Sequence, residues 1–134
     1  MRKLLYSATM LISFCAFVGC GEPDDATLKP KQNLKSALAA YYDNRLDTFL
    51  MCMDFGTDLD DSQRQVVMAS YRTHLKYTNK HFNGVRAIEP KSVQFDGDTI
   101  AYVLYDIVYR NQVRVTSSQK MIKVGDTWKL RARN

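Results

Sequence analysis

The period of the apolar residues changes once along this chain, at Asn83-Gly84, and that change limits the folds open to it. Before this turn, apolar residues recur at helical spacing in three segments, which we predict at residues 31–42, 45–53 and 62–79. After it, extended runs at 85–95, 99–110, 113–124 and 127–133 are separated by short polar or glycine-containing turns. Helices followed by a four-stranded meander predict an α+β fold, with N-terminal helices packed on an antiparallel sheet.

Several residues predict local features of these elements. Asp60 or Asp61 is expected to cap the third helix, because a carboxylate there accepts hydrogen bonds from free backbone N–H groups. Pro90 lacks an N–H donor, which confines its strand to a sheet edge or a bulge.

The apolar pattern of the third predicted strand indicates an irregular register. Val113 and Val115 have odd numbers, whereas Ile122 and Val124 have even numbers, and a period of two cannot place all four on one face. We therefore predict a bulge between residues 116 and 120.

The second strand is apolar on both faces. We assign Ala101, Val103, Tyr105 and Ile107 to the helix side, because the small Ala101 lets a helix approach closely. The opposite face then needs cover and is a candidate binding surface, for a second copy or an envelope protein, formed by Tyr102, Leu104 and Val108. The alternative is ordinary burial of both faces under a curled sheet.

The first residues have the pattern of a secretory signal peptide. Arg2 and Lys3 precede an apolar run at 4–18 and then small residues. As a helix this run would be about 22 Å long, at about 1.5 Å per residue. A bilayer core is about 30 Å thick, so the alternative of a spanning anchor is the weaker one.

The residues Phe17-Val18-Gly19-Cys20 resemble a bacterial lipobox. The resemblance implies a diacylglycerol on the Cys20 sulfur, cleavage before Cys20 and a further acyl chain such as palmitate on the new amine. Two or three chains hold a protein on a membrane, whereas a single chain binds only marginally. The predicted organisation is a signal peptide at 1–19, a lipidated and mobile tether at 20–30 and one domain at 31–134.

The resemblance also bears on the destination. Gly21 stands where lipoproteins kept in the inner membrane of enteric-type bacteria usually have an aspartate, which implies the outer membrane. An acidic patch follows at Glu22, Asp24 and Asp25, and similar patches act as surface-export signals in some groups, so the leaflet stays open.

Charge and cysteine content argue against a nucleic-acid-binding protein and against a disulfide in the mature domain. The net charge is +5, with no dense Lys/Arg block, so we do not expect a nucleic-acid partner. Cys15 would leave with the signal and Cys20 would be acylated, so Cys52 would have no disulfide partner. The apolar neighbours of Cys52 predict that it behaves as a small buried hydrophobic residue.

The end of the chain resembles a known superfamily. Lys123-Val124-Gly125-Asp126-Thr127-Trp128-Lys129-Leu130 and Asp98-Thr99-Ile100-Ala101-Tyr102-Val103 are similar to segments of small lipoprotein domains of the nuclear-transport-factor-2-like (cystatin-like) superfamily. The similarity covers about residues 31–133. It implies a curved sheet wrapped around a long helix, forming a cone with a cavity. Fold alone does not specify an activity.

Enzymes of that superfamily place an Asp or a His in the cone, which implies two candidate catalytic residues. Asp106 interrupts an apolar strand, and burial there would raise its pKa and suit a general base. The alternative is that Asp106 points to solvent or to an interface. His74 lies on the expected core side of its helix, where hydrogen bonding to a backbone carbonyl is the alternative to catalysis. No metal ligand set or cofactor motif is found.

These observations lead to three hypotheses of function. The first is a membrane-anchored envelope lipoprotein that acts as an accessory or binding module for a protein or a small apolar ligand, using the sheet face or the cone mouth. The second is an isomerase- or cyclase-like enzyme using Asp106 or His74. The third is a structural envelope lipoprotein without a ligand.

Overall fold

The computed structural model describes residues 22–133, with side chains from residue 26. Within these residues, three helices and five strands follow in the order α1 (Glu22–Tyr42), α2 (Leu46–Met51), β1 (Met53–Asp54), α3 (Asp61–Phe82), β2 (Val85–Asp96), β3 (Ile100–Tyr109), β4 (Arg114–Val124) and β5 (Thr127–Arg131). The predicted signal peptide, the spanning alternative and Cys20 lie outside the described residues. In the described range no helix is long and apolar enough to cross a membrane.

Helix α1 begins well before its predicted start at residue 31. It begins at Glu22, and Pro30 lies inside it. The segment predicted as a mobile tether is therefore helical over residues 22–30. Proline removes one backbone hydrogen bond, but Pro30 is almost fully buried, and its packing offsets that loss. The segment is mostly polar, so its composition did not indicate that Pro30 would be buried.

Helix α3 begins with the predicted cap. The Asp60 carboxylate accepts a hydrogen bond from Gln63 N at 2.8 Å, and the Gln63 side chain accepts one from Asp60 N at 3.0 Å. This reciprocal pair is a capping box, and it confirms Asp60 as the N-cap. Asn83 ends the helix in a left-handed conformation, φ 61°, which directs the chain into β2.

In the described part of the chain, the sheet has one strand more than predicted. Its order is β1-β5-β4-β3-β2, with the predicted four strands antiparallel and β1 added parallel to β5. Two residues are too few for a strand pattern in the sequence. Strand β2 is at the edge and changes register between Pro90 and Ser92, which confirms the edge and bulge expected for Pro90.

The predicted bulge in β4 is wrong. Pairing with β3 runs without a break from Ile100↔Ile122 to Val108↔Arg114. Val115 lies on the helix side with Met121, whereas Ile122 lies on the opposite face beside Ile100. A strand without a bulge can carry these apolar residues because both faces of the sheet are apolar at these positions.

The two faces of β3 are as assigned from the sequence. Ala101, Val103, Tyr105 and Ile107 are buried against the helices. The core continues through Leu34, Met121, Trp128 and Leu130. On the outer face, Tyr102 and Leu104 are 38% and 41% exposed, whereas Val108 is buried. The α+β class is confirmed. Within the described residues, nothing covers the exposed parts of Tyr102 and Leu104.

Candidate functional site

A cleft of about 310 Å³ opens between the helices and the inner face of the sheet. We call it the tyrosine cleft, after its walls of Tyr41, Tyr42, Phe49, Tyr71, His74, Tyr105, Ser117 and Gln119. Helix α1 contributes the first two residues, α2 the third, and α3 contributes Tyr71 and His74, which are three residues apart and share one face. Tyr105 and Ser117 are direct cross-strand partners on β3 and β4.

Aromatic rings pack tightly along one wall of the cleft. The ring centroid of Tyr41 lies 4.9 Å from Tyr42, 4.8 Å from Phe49 and 5.4 Å from Tyr71. Tilted and edge-on contacts at these distances are favourable for aromatic pairs and restrict ring motion. The wall is therefore a preformed, largely apolar surface with phenol groups on it.

The Tyr41 hydroxyl and His74 form the shortest polar contact of the cleft. Tyr41 Oη lies 2.6 Å from His74 Nδ1. Burial, followed by the neighbouring Tyr71, raises the pKa of Tyr41, so the phenol stays protonated. When this hydroxyl donates to Nδ1, His74 carries its hydrogen on Nε2 and offers a donor there. His74 is exposed, and its partner is a side chain rather than the expected backbone carbonyl.

Asp106 lies on the other side of the sheet, within a network of donors. Its carboxylate accepts hydrogen bonds from Thr116 Oγ1 at 2.6 Å and Arg114 Nη1 at 2.9 Å, and Lys91 Nζ lies 3.2 Å away. Arg114 also pairs with Glu89 at 2.6 Å. The residue is only 3% exposed, since these long side chains cover it.

The prediction that burial raises the pKa of Asp106 is wrong. Hydrogen bonds from Thr116 and then Arg114 outweigh desolvation and lower this pKa from 3.8 to about 2. Such a carboxylate stays ionised and is a poor proton acceptor near neutral pH. The structure does not bring Asp106 and His74 together, because they lie on opposite sides of the sheet.

Cys52 lies at the C-terminal end of α2 and does not line the cleft. It is half-buried, its thiol donates to Thr48 O at 3.4 Å, and burial raises its pKa. A raised thiol pKa lowers the thiolate fraction and hence the reactivity. Within residues 22–133, no three metal-binding side chains are grouped closely enough to hold an ion.

Sequence reasoning missed most of the cleft. Its walls come from residues far apart in the chain, and Tyr41 and His74 are separated by 33 positions. Two signals were present: the unusual number of tyrosines, eight, and the spacing of Tyr71 and His74 on one helical face. Ser117 and Gln119 carry no such signal, because polar residues at odd positions of β4 look like a solvent-exposed pattern.

Comparisons with known proteins identify the fold. No protein-family model and no curated protein matches the sequence. A crystal structure of a Campylobacter jejuni protein, provisionally named an NTF2-like transpeptidase, matches with a TM-score of 0.63 and 14% identity. The match covers 78% of this chain and 98% of that one. The fold is therefore nuclear-transport-factor-2-like, as predicted.

Proposed function

We propose that this chain is a lipid-anchored protein of the bacterial cell envelope, in the outer membrane, whose domain binds a small organic ligand in the tyrosine cleft. The cleft carries the proposal. Its volume of about 310 Å³ lies at the lower end of the range of small-molecule sites, about 300–1,000 Å³. Its walls are mainly aromatic and aliphatic, with a few polar groups that can orient a ligand.

The electrostatics of the cleft favour binding over proton transfer. The acidic candidate, Asp106, is on the outer face and held ionised. The other polar groups that line the cleft are phenols, Ser117, Gln119, His74 and two arginines, Arg131 and Arg133. Both arginines already have partners, since Arg131 pairs with Asp54 at 3.5 Å and Arg133 Nη2 donates to Ser118 O at 3.4 Å. The Gln119 amide nitrogen already donates to Lys120 O at 2.8 Å and to Arg131 O at 3.0 Å, so it braces the strands. These groups suit an apolar ligand with one or two hydrogen-bonding atoms.

Filling the cleft tests this part of the proposal. Ser117 lies on the cleft side of β4 and Ser118 on the outer side, so Ser117→Phe and Ser118→Phe form a matched pair. We expect Ser117→Phe to weaken binding of a neutral aromatic probe, 2-naphthol, by about ten-fold or more, since the added ring occupies the site. Saturation-transfer NMR titrations of the whole chain measure this. Equal binding by both variants, or no binding by the unchanged protein, contradicts the proposed site.

The anchor part rests on the residue pattern around Cys20. Cys20→Ser removes the only sulfur at the lipobox position, whereas Cys15→Ser makes the same change within the apolar run. We expect Cys20→Ser to release the protein from membranes and Cys15→Ser to leave it bound. Fractionation and mass spectrometry in a bacterial host measure both. A membrane-bound Cys20→Ser chain, or an unmodified Cys20 sulfur in the original protein, contradicts lipid anchoring.

An isomerase- or cyclase-like enzyme remains the second candidate, and the Tyr41–His74 contact of 2.6 Å favours it. In the tautomer whose Nδ1–H donates to Tyr41 Oη, His74 Nε2 would take a proton from the carbon next to the ligand's carbonyl and return it, with Tyr41 fixing the ring. The test is deuterium exchange next to the carbonyl of a cyclic ketone, followed by NMR. A rate that falls in His74→Gln supports this candidate, and a rate equal to that of buffer excludes it for that ketone.

Transpeptidation, from the name of the matching structure, has less support. Acyl transfer uses a nucleophile activated by an adjacent base. His74 Nδ1 is occupied by Tyr41, and the Cys52 thiol has a raised pKa. These features favour ligand binding.

A further inference from the structure

We infer that a second site, a basic groove beside strand β2, binds multiply charged anions that carry phosphate or carboxylate groups. The groove lies between the C-terminal half of α1 and the start of β2 and has a volume of about 380 Å³. We define it by its charged residues, Lys35, Arg45, Arg86 and Arg110, together with Asp43.

The groove has an excess of positive charge. Among the residues that the structure describes, Asp43 is the one carboxylate that lines the groove, and it already pairs with Arg45 Nε at 3.1 Å. Within the described part of the chain, Lys35, Arg86 and Arg110 form no ion pair. Concave surfaces with one sign of charge concentrate ions of the opposite sign.

Four separate parts of the fold bring these cations together. Lys35 lies on the α1 stripe that also carries Leu38 and Tyr42. Arg86 is the extra residue where the β2 register shifts between Val85 and Ala87.

Arg45 follows α1, and Arg110 follows β3, where its backbone N donates to Gly84 O at 2.9 Å. The arrangement places four cations around one groove, and a bound anion would offset the repulsion between them.

The groove is also extended by a smaller depression. That depression shares Tyr42 with the groove and adds two further cations, Arg72 and Lys76 of α3. Guanidinium groups bind phosphate and carboxylate through two parallel hydrogen bonds, so several of them select ligands with more than one anionic group.

The place of the groove along α1 indicates the source of the anion. Lys35 lies about 20 Å along the helix from Glu22, at about 1.5 Å per residue. If the chain is anchored at Cys20 as proposed above, the groove lies towards the end of α1 that is farther from the anchor. This geometry favours a soluble or polymer-borne polyanion over the lipid headgroups around the anchor.

Charge-matched variants test the inference. Arg86→Gln/Arg110→Gln removes two groove cations, Lys120→Gln/Lys123→Gln removes two cations elsewhere, and Arg86→Lys/Arg110→Lys keeps the groove charge. The probes are tripolyphosphate, citrate and dihexanoyl-phosphatidylglycerol below its micelle concentration. Calorimetric titrations of the whole chain, at two salt concentrations, measure the affinities.

We expect saturable binding of tripolyphosphate and citrate that weakens with salt, and a weaker response to the singly charged headgroup. The glutamine pair in the groove should reduce affinity by about ten-fold or more, the lysine pair should restore part of it, and the distant pair should change it by less than about two-fold. Equal losses in both glutamine pairs, or no saturable binding, overturn the groove. Tighter binding of the headgroup overturns the assignment of the source. The groove shares Leu38 and Tyr42 with the tyrosine cleft, but Arg86 and Arg110 do not line that cleft, so their substitution tests the groove separately from ligand binding in the cleft.

Discussion

The two faces of strand β3 bury their residues by different means. On the inner face, Ala101 and Val103 have no exposed surface because helices cover them. On the outer face, Asp106 is almost as deeply buried, but under the side chains of Lys91 and Arg114.

The difference shows that burial alone does not make a carboxylate reactive. Cover by apolar groups would have raised the pKa of Asp106, whereas cover by donors lowers it to about 2. The inner face, with its tyrosines and a preformed space, is the face suited to hold a ligand. The outer face around Asp106 is instead stabilised by ion pairs with Lys91 and Arg114.

The largest expected difference between the faces is in packing. Met121→Ala on the inner face should cost about 2–5 kcal/mol of unfolding free energy, because Met121 has no exposed surface and its loss leaves a cavity. Leu104→Ala on the outer face should cost less than about 1 kcal/mol, since Leu104 is already 41% exposed. Urea unfolding measures both. Equal losses would mean that a partner covers the outer face in solution.

The next expected effect is a pH dependence specific to the outer face. Because folding lowers the pKa of Asp106 from 3.8 to about 2, its stabilisation is present above pH 3.8 and is lost as the pH falls towards 2. Asp106→Asn should therefore be less stable than the original protein at pH 7, and the difference should shrink between pH 4 and pH 2.

Urea unfolding across this pH range measures the effect, with Asp126→Asn, in an exposed turn, as the control. Glu89 shares Arg114 and also has a lowered pKa, so part of the acid sensitivity should persist in Asp106→Asn. A difference that is constant with pH would show that the network does not hold the carboxylate ionised.

The smallest effect is expected at the polar contact of the cleft. Tyr41→Phe removes the hydrogen bond to His74 and should cost about 0.5–1.5 kcal/mol. Tyr102→Phe on the outer face is the control, because its hydroxyl forms no hydrogen bond within residues 22–133. Unfolding measurements and the NMR shifts of the His74 ring are the readouts. An unchanged His74 spectrum in Tyr41→Phe would contradict the contact.

Much of the fold could be predicted because it depends on local chemistry. Asp60 caps its helix through neighbours three residues away, and Gly97 takes the positive φ of 75° that its turn requires. The face of β3 that packs against the helices could be assigned because Ala101 on it is small.

Other features depend on contacts between distant parts of the chain. The helical start of α1 depends on burial of Pro30, and β1 depends on pairing with β5 across 77 positions, as the contact between Asp54 and Arg131 shows. The regular β4 was missed because apolar residues on both faces imitate a register shift.

The candidate sites were less accessible to sequence reasoning. Asp106 was recognised as unusual, but its chemistry is set by Lys91, Arg114 and Thr116, which only the sheet register brings beside it. The tyrosine cleft and the basic groove are both assembled from scattered residues, none of which forms a motif.

The two-residue strand β1 has a consequence for self-association. Strand β5 would otherwise present a row of free amides and carbonyls, but Leu130 N already donates to Cys52 O at 2.9 Å and Ala132 N to Asp54 O at 2.9 Å. A strand as short as β1 is a poor template for a foreign chain. At the opposite margin, Pro90 interrupts β2. Both rims of the sheet are thus protected against fibril growth, which favours a protein that remains dispersed when crowded against its neighbours.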